Sequence, residues 1–391
     1  MVAVKRAAAS NSPSADLEQQ KTSKGASERP FLFKTIQQVS KMPKSNALSK
    51  IAILGASGYT GAELIRLLHS HPHVEIKYLV AETQAGKKLS EVYPHLGYAN
   101  LPNLVHVSEV DWQQVDFAFG CLPHGTSQPL LASLPPHVRI IDLSADFRLR
   151  NTTEYAHWYG HAHQAVELQK QAIYGLTEHT RDAVKKARLV ANPGCYPTAS
   201  QLPLIPLLEA GLIDCKNIII DAKSGVTGAG RSLKQNLLFT EVDGGLAAYG
   251  IGNHRHTPEI EQGLTDAAKV PVQVTFTPHL IPMKRGILAT IYASLTAGKT
   301  VDDIRAALAK TYASEPFVDV LNEGEHASTQ QVFGTNRCVI AAHKDRVDGR
   351  VILVSAIDNL CKGASGQAVQ NMNVMLELPE TTGLPLVAVF P

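Results

Sequence analysis

The chain of 391 residues has little cysteine (five residues) and little tryptophan (two), and its charge is nearly balanced at +2. It also has no uninterrupted run of the roughly 18 apolar residues that a membrane-crossing helix needs. Each shortage excludes something. Cys121, Cys195, Cys215, Cys338 and Cys361 are odd in number and scattered, so neither a disulfide framework nor a paired Cys-x-x-Cys metal site is expected, and a reducing compartment is. The missing apolar run argues against a membrane-spanning protein. A charged fraction of 18%, with both signs nearly equal, does not by itself read as that of a nucleic-acid or membrane binder. What is present is 44% hydrophobic residues, ordinary for a globular protein. At roughly 150 residues per domain the length allows two or three domains.

Residues 1–49 hold eight Lys or Arg and eight serines against three acids, with almost no hydrophobic periodicity. Such a segment buries too little apolar surface to offset the entropy of ordering. A disordered leader is therefore expected over 1–49, with the basic, Ser-rich composition of an organelle transit peptide. From Lys50 onward, short apolar runs alternate with amphipathic stretches, the pattern of parallel strands joined by helices, so the fold class is α/β. Strands are expected at 50–55, 74–81, 115–120, 138–143 and 187–192. A second group at 217–223, 272–277, 287–295, 337–342 and 350–357 has longer intervals and β-rich pairs, which predicts a mixed sheet beside the first.

The first strand runs into Gly55, Ala56, Ser57, Gly58, Tyr59, Thr60 and Gly61, followed by an apolar helical face at Leu64, Ile65, Leu67 and Leu68. Glycines there let the backbone turn tightly and approach a pyrophosphate, which the free N–H groups of a helix start would stabilise. The strand before and the helix after make this a dinucleotide-binding loop. Two signals conflict over which dinucleotide. Glu82, 21 residues past Gly61, is where an acid would bind a ribose 2′-hydroxyl and favour NAD, whereas Lys87 and Lys88 could neutralise the 2′-phosphate of NADP.

Asn192-Pro-Gly-Cys-Tyr-Pro-Thr198 follows the apolar strand at Leu189–Ala191 and precedes a long apolar segment ending at Gly211. Cys195 would then sit at a helix N-terminus, whose partial positive charge favours thiolate and marks it as a nucleophile. Pro203 and Pro206 should kink or interrupt that helix, and the other four cysteines are expected to be small buried hydrophobes. A proton-transfer partner is needed. The Gly-rich segment 250–256 carries His254, Arg255 and His256 before a helix expected from about Pro258, and no further ligand nearby makes His-x-His a metal site. His124, His161 and His163 are expected to be surface or structural histidines. Glycine clusters at 224–231 and 358–367 follow two more strands and fit a site assembled from strand ends.

Taken in order, the motifs Gly55–Gly61, Asn192–Thr198, Ser224–Arg231, His254–Glu259 and Lys362–Ala368 closely resemble those of the N-acetyl-gamma-glutamyl-phosphate reductases of arginine biosynthesis, most of all the plant or algal plastid type. The resemblance covers residue 50 to about 391. It implies an NADP-binding Rossmann domain over 50–194, completed by 359–391, and an α/β catalytic and oligomerisation domain with a mixed sheet over 195–358. It further implies NADP(H) as cofactor, a homodimer or homotetramer, and a chloroplast stromal home, or the cytoplasm if the leader is not a transit peptide. Carried over by position, Cys195 is the nucleophile and His256 the general acid/base, while Ser224, Gly225 and Asn359 lie on the cofactor side. Because the substrate is anionic, Arg148, Arg231, His254, Lys284 and Arg285 are its candidate partners. The implied reaction reduces an N-acetylglutamyl phosphate to the semialdehyde through a cysteine thioester. Its alternatives are an aspartate-semialdehyde-type dehydrogenase and a non-catalytic NADP sensor. Cys361 and Glu377 depart from the pattern, standing where an aliphatic residue and a glycine are expected.

Overall fold

The computed structural model describes residues 48–390, so the expected leader lies almost wholly outside the described residues. Seven strands form the first sheet: β1 (Ser49–Leu54), β2 (Val74–Val80), β3 (Leu104–Val105), β4 (Phe117–Gly120), β5 (Arg139–Asp142), β6 (Ala172–Tyr174) and β7 (Leu189–Ala191). They lie in the order β3-β2-β1-β4-β5-β7-β6, and every ladder is parallel. Ile51–Leu54 and Phe117–Gly120 are buried throughout, as expected of parallel strands with helices on both faces.

The second sheet holds β8 (Ile218–Gly225), β9 (Ala247–Ala248), β10 (Val274–Ile281), β11 (Ile287–Ser294), β12 (Val318–Val320), β13 (Cys338–Lys344) and β14 (Arg350–Ile357), in the order β12-β13-β14-β11-β8-β10-β9. β8 pairs parallel with β10 and antiparallel with β11, so this sheet is mixed. Along β11, fully and partly buried residues alternate, the mark of one face on a core and one left open. β3, β6, β9 and β12 were not expected. Each is two or three residues long, too short for a period to register.

The helix Cys195–Glu209 leaves β7 and packs among the helices that cover the second sheet. It is continuous, contrary to the interruption expected at Pro203 and Pro206. Each proline costs about 3 kcal/mol or more in a helix interior, but every residue from Tyr196 to Leu208 is buried, and each leucine contributes about 1.5–3 kcal/mol. The Leu202 carbonyl, which Pro206 deprives of its helical donor, instead accepts the Tyr312 hydroxyl at 2.5 Å. At the other end of the chain, β14 runs into a single π-helical turn, Cys361–Ser365, and then the buried helix Gly366–Met375. That helix returns to the first sheet, where Ala368, Val369 and Met372 share a core with Ile51, Ile53 and Leu64.

Candidate active site

The glycine loop leaves β1 where the strand order reverses, with β2 on one side and β4 on the other, the crevice at which doubly wound sheets bind ligands. Gly55 has φ +87°, and a Cβ there would lie 2.4 Å from the Cys121 carbonyl oxygen. One on Gly61 would lie 2.6 Å from the Gly55 oxygen. Neither position tolerates a side chain. Gly58 caps the helix Tyr59–Leu68, and a Cβ on it would meet only the Gly55 oxygen, at 3.5 Å. The Ser57 carbonyl is held by the Tyr93 hydroxyl at 2.8 Å and by Arg231 Nη1 at 2.9 Å. Ser57, Gly58, Tyr59 and Thr60 lie partly exposed at a helix start, a cradle that fits a pyrophosphate. Glu82, just past β2, is paired with His106 Nδ1 at 2.7 Å, and Lys87 is bonded to Gln84.

Cys195 is the first residue of its helix, with Gly194 as the cap. A Cβ on Gly194 would fall 2.7 Å from His256 Nε2 and 2.8 Å from Arg148 Nη1; one on Gly363, in the π-turn, would fall 2.7 Å from the Cys195 Cβ. Both glycines are needed so that an imidazole, a guanidinium and a third backbone segment can close around the thiol. His256 caps the helix Thr257–Ala268, its N–H donates to His254 Nδ1, and its own Nδ1 is buried without a partner. One turn on, Glu259 Oε1 accepts the Gly194 N–H and the Tyr174 hydroxyl, both at 2.8 Å, and Oε2 accepts Arg148 Nη1 at 3.2 Å.

The thiol is not lowered as its helix position predicts. Burial pushes Cys195 up to about 11, outweighing the nearby Arg148 charge and the backbone N–H of Tyr196. Burial, with His254 and Arg148 adding like charge, holds His256 well below its ordinary value, and burial takes His254 down to about 4. The resting site therefore holds a neutral thiol and a neutral imidazole.

Several sequence candidates serve as scaffolding in this arrangement. Arg148 is buried, and besides Glu259 it donates to the carbonyls of Asn192 and Leu143. Arg285 is forked onto Glu63 at 3.0 and 2.6 Å and reaches Asp358. Ser224 is buried, the Gly225 N–H donates to the Gly286 oxygen, and Asn359 accepts the Gly286 N–H and donates to Thr227 Oγ1, which ties the ends of β8, β11 and β14 together. His254 stacks edge-on against Tyr196, Tyr249 and Phe276. Lys284 is exposed. His163 is structural, bonded to the Asp146 carbonyl, but His124 accepts the Ala145 N–H and borders the site. Cys338 and Cys361 are buried; Cys121 and Cys215 are partly exposed. Glu259 and Gly363 were not singled out from the sequence. Glu259 lies three residues past His256 on one helix face, a spacing that could have revealed it.

Two family models match the chain: the semialdehyde dehydrogenase NAD binding domain over residues 50–187, and the semialdehyde dehydrogenase dimerisation domain over 195–359. A Rhodospirillum rubrum protein named N-acetyl-gamma-glutamyl-phosphate reductase is 58% identical over 87% of this chain and 98% of its own. The Oryza sativa subsp. japonica "Probable N-acetyl-gamma-glutamyl-phosphate reductase, chloroplastic" is 54% identical over 89% of this chain and 84% of its own. The chain belongs to the N-acetyl-gamma-glutamyl-phosphate reductase family. Among solved structures it is similar to aspartate semialdehyde dehydrogenase II from Vibrio cholerae, with a TM-score of 0.66 at 17% identity over 84% of this chain and 99% of that one, a likeness of fold.

Within this reductase family the two departures have structural explanations. Glu377 has φ +57°, the left-handed conformation that favours glycine, and pairs with Lys185 at 2.8 Å. The Cys361 thiol donates to Glu63 at 2.9 Å, extending the Arg285–Glu63–Arg66 cluster. Among the described residues, no group of three or more His, Cys, Asp or Glu is placed to hold a metal ion, and no helix is long and apolar enough to cross a membrane.

Proposed function

We propose that this chain catalyses the NADPH-dependent reduction of N-acetyl-L-glutamyl 5-phosphate to N-acetyl-L-glutamate 5-semialdehyde with release of phosphate, a step of arginine biosynthesis. The observation that carries the reading is Cys195 at the start of a buried helix, with His256 against its capping glycine, in a chain more than half identical to reductases of that name. His256, held neutral, takes the thiol proton as the sulfur attacks the acyl carbon. The bond to the phosphate oxygen breaks, its electron pair leaves with phosphate, which takes up a proton from water, and Cys195 holds a thioester. This step is needed because a carboxylate resists hydride, whereas a thioester carbonyl is electrophilic. When bound along the Gly55–Gly61 cradle, NADPH supplies the hydride for that carbonyl. The protonated His256 stabilises the oxygen that becomes negative and returns its proton to the sulfur as the carbon–sulfur bond breaks.

The cradle, together with Ser224, Gly225 and Asn359, forms the NADP(H) site of this reading. Of the candidate substrate residues, Arg148, Arg231 and Arg285 act in this reading as braces and, with Lys284, as a source of positive field, while the neutral His254 packs as a brace. The dimerisation-domain match supports an oligomer, and we take it to be a homodimer or homotetramer. The chloroplastic relatives of rice and Arabidopsis support a stromal enzyme carrying its leader as a transit peptide. The test is phosphate-dependent reduction of NADP and of NAD by N-acetylglutamate semialdehyde, with aspartate semialdehyde alongside. Reduction of NADP by the acetylated aldehyde alone is expected. Turnover of aspartate semialdehyde instead would reassign the substrate, and no turnover of either would leave a dinucleotide-binding protein without this activity.

A further inference from the structure

The substrate proposed above is anionic at both ends, with an acyl phosphate that must meet Cys195 and an α-carboxylate at the far end of its side chain. A pocket for the carboxylate needs a cation with free donors, and most arginines around the site have none to spare. Arg148 is only 6% exposed and makes bonds from Nε, Nη1 and Nη2. Arg285 and Arg66 share Glu63, Arg231 is bonded to the Ser57 carbonyl and stacked on Tyr93, and Arg150 is forked onto Asp266.

Arg255 differs from these. It lies between His254 and His256, is exposed, and makes no hydrogen bond or ion pair among the described residues. Its guanidinium lies 5.4 Å from the centre of the Tyr159 ring, at the end of the helix Thr152–Tyr159. That ring is itself fixed, stacked at 4.6 Å and 10° on Tyr155, whose hydroxyl donates to Asp146 at 2.7 Å. Tyr159 also meets the His124 ring edge-on, 5.8 Å between centres, and the Arg255 charge helps to lower His124, His254 and His256. A guanidinium resting on an aromatic face keeps its N–H edge free, and that edge matches a carboxylate with two parallel bonds.

We propose that Arg255, laid on Tyr159, receives the α-carboxylate of the substrate and so sets which acyl phosphate or aldehyde is accepted. The inference rests on the reductase reading. It is tested with N-acetylglutamate semialdehyde and with the same aldehyde carrying an α-carboxamide, on the full-length enzyme and on Arg255→Ala, Arg255→Lys and Tyr159→Phe, with NADP affinity measured separately by fluorescence titration. Arg255→Ala is expected to raise KM for the acid roughly 10- to 100-fold, the worth of a charge-assisted forked pair, with kcat and NADP affinity little changed. The wild type should favour acid over amide by a similar factor, and Arg255→Ala should not discriminate between them. Arg255→Lys should recover part of the loss, and Tyr159→Phe, which keeps the ring, most of the wild-type preference. Undiminished preference for the acid in Arg255→Ala, or a loss confined to kcat, would overturn the assignment. A wild type that turns over neither compound would instead overturn the reductase reading, and this inference with it.

Discussion

Replacing Glu259 with glutamine removes one negative charge from the centre of the site while preserving its shape. The carboxylate is buried and accepts from Gly194, Tyr174 and Arg148. Glutamine offers one oxygen and one NH2 group, so at least one of those donors would face another donor. Removing one partner of a buried ion pair costs about 3–5 kcal/mol, and the variant should melt well below the wild type. The same change acts on the nucleophile in the opposite sense. The Glu259 charge raises the Cys195 pKa and the Arg148 charge lowers it, so in Glu259→Gln the guanidinium acts unopposed and the thiol titrates below about 11. Turnover should nevertheless fall, because the Gly194 cap loses its anchor, and a displacement of about 1 Å at a nucleophile costs on the order of 10²-fold. The assay is iodoacetamide alkylation against pH, assigned to Cys195 by peptide mapping, below the melting temperature of each variant. Faster alkylation at pH 8 together with slower turnover is expected, and Arg148→Met should alkylate more slowly than the wild type. Unchanged or slower alkylation in folded Glu259→Gln would refute this account of how the thiol is tuned.

Cys195→Ser should abolish turnover while retaining dinucleotide affinity in a fluorescence titration; normal turnover would remove Cys195 from the chemistry. Gly363→Ala would press a methyl group to 2.7 Å from the Cys195 Cβ, and kcat should fall on the order of 10²-fold with cofactor affinity intact. A rate within a few-fold of wild type would mean that the π-turn yields. The carboxyl of Glu63 is raised by burial but more strongly lowered by Arg285 and Arg66, to about 2 against an ordinary 4.5. A carboxylate depressed on folding contributes stability that is fully present above pH 4.5 and is lost as pH falls towards 2. At 1.36 kcal/mol per unit this amounts to about 3 kcal/mol. Glu63→Gln should therefore flatten the acid limb of a stability profile measured by denaturant titration from pH 6 to 3, and an unaltered limb would count against the cluster.

Much of the site could be read in the sequence because its chemistry is local. The Gly55–Gly61 loop needs a strand, a tight turn and a helix start within about 20 residues, and the helix start at Cys195 needs a Pro-Gly turn ahead of it, so both are patterns of neighbouring residues. What could not be read depended on long-range contacts. The Cys195 helix runs through two prolines because its surroundings are buried and Tyr312, more than 100 residues away, satisfies the Leu202 carbonyl. Arg148 and Arg285 looked like free cations in the sequence, and folding paired each with a carboxylate, Arg148 with Glu259 and Arg285 with Glu63.

The sequence by itself determined the α/β class, the glycine loop between a strand and a helix, the helix start at Cys195 and the family, since period and motif are properties of adjacent residues. Only the tertiary structure decided that Cys195 rests as a protonated thiol, that Glu259 and Gly363 frame it, and that Arg255 keeps its donors free. Burial and ion pairing depend on which distant side chains meet, and that is fixed only when the Cys195 helix is buried against the second sheet and its covering helices.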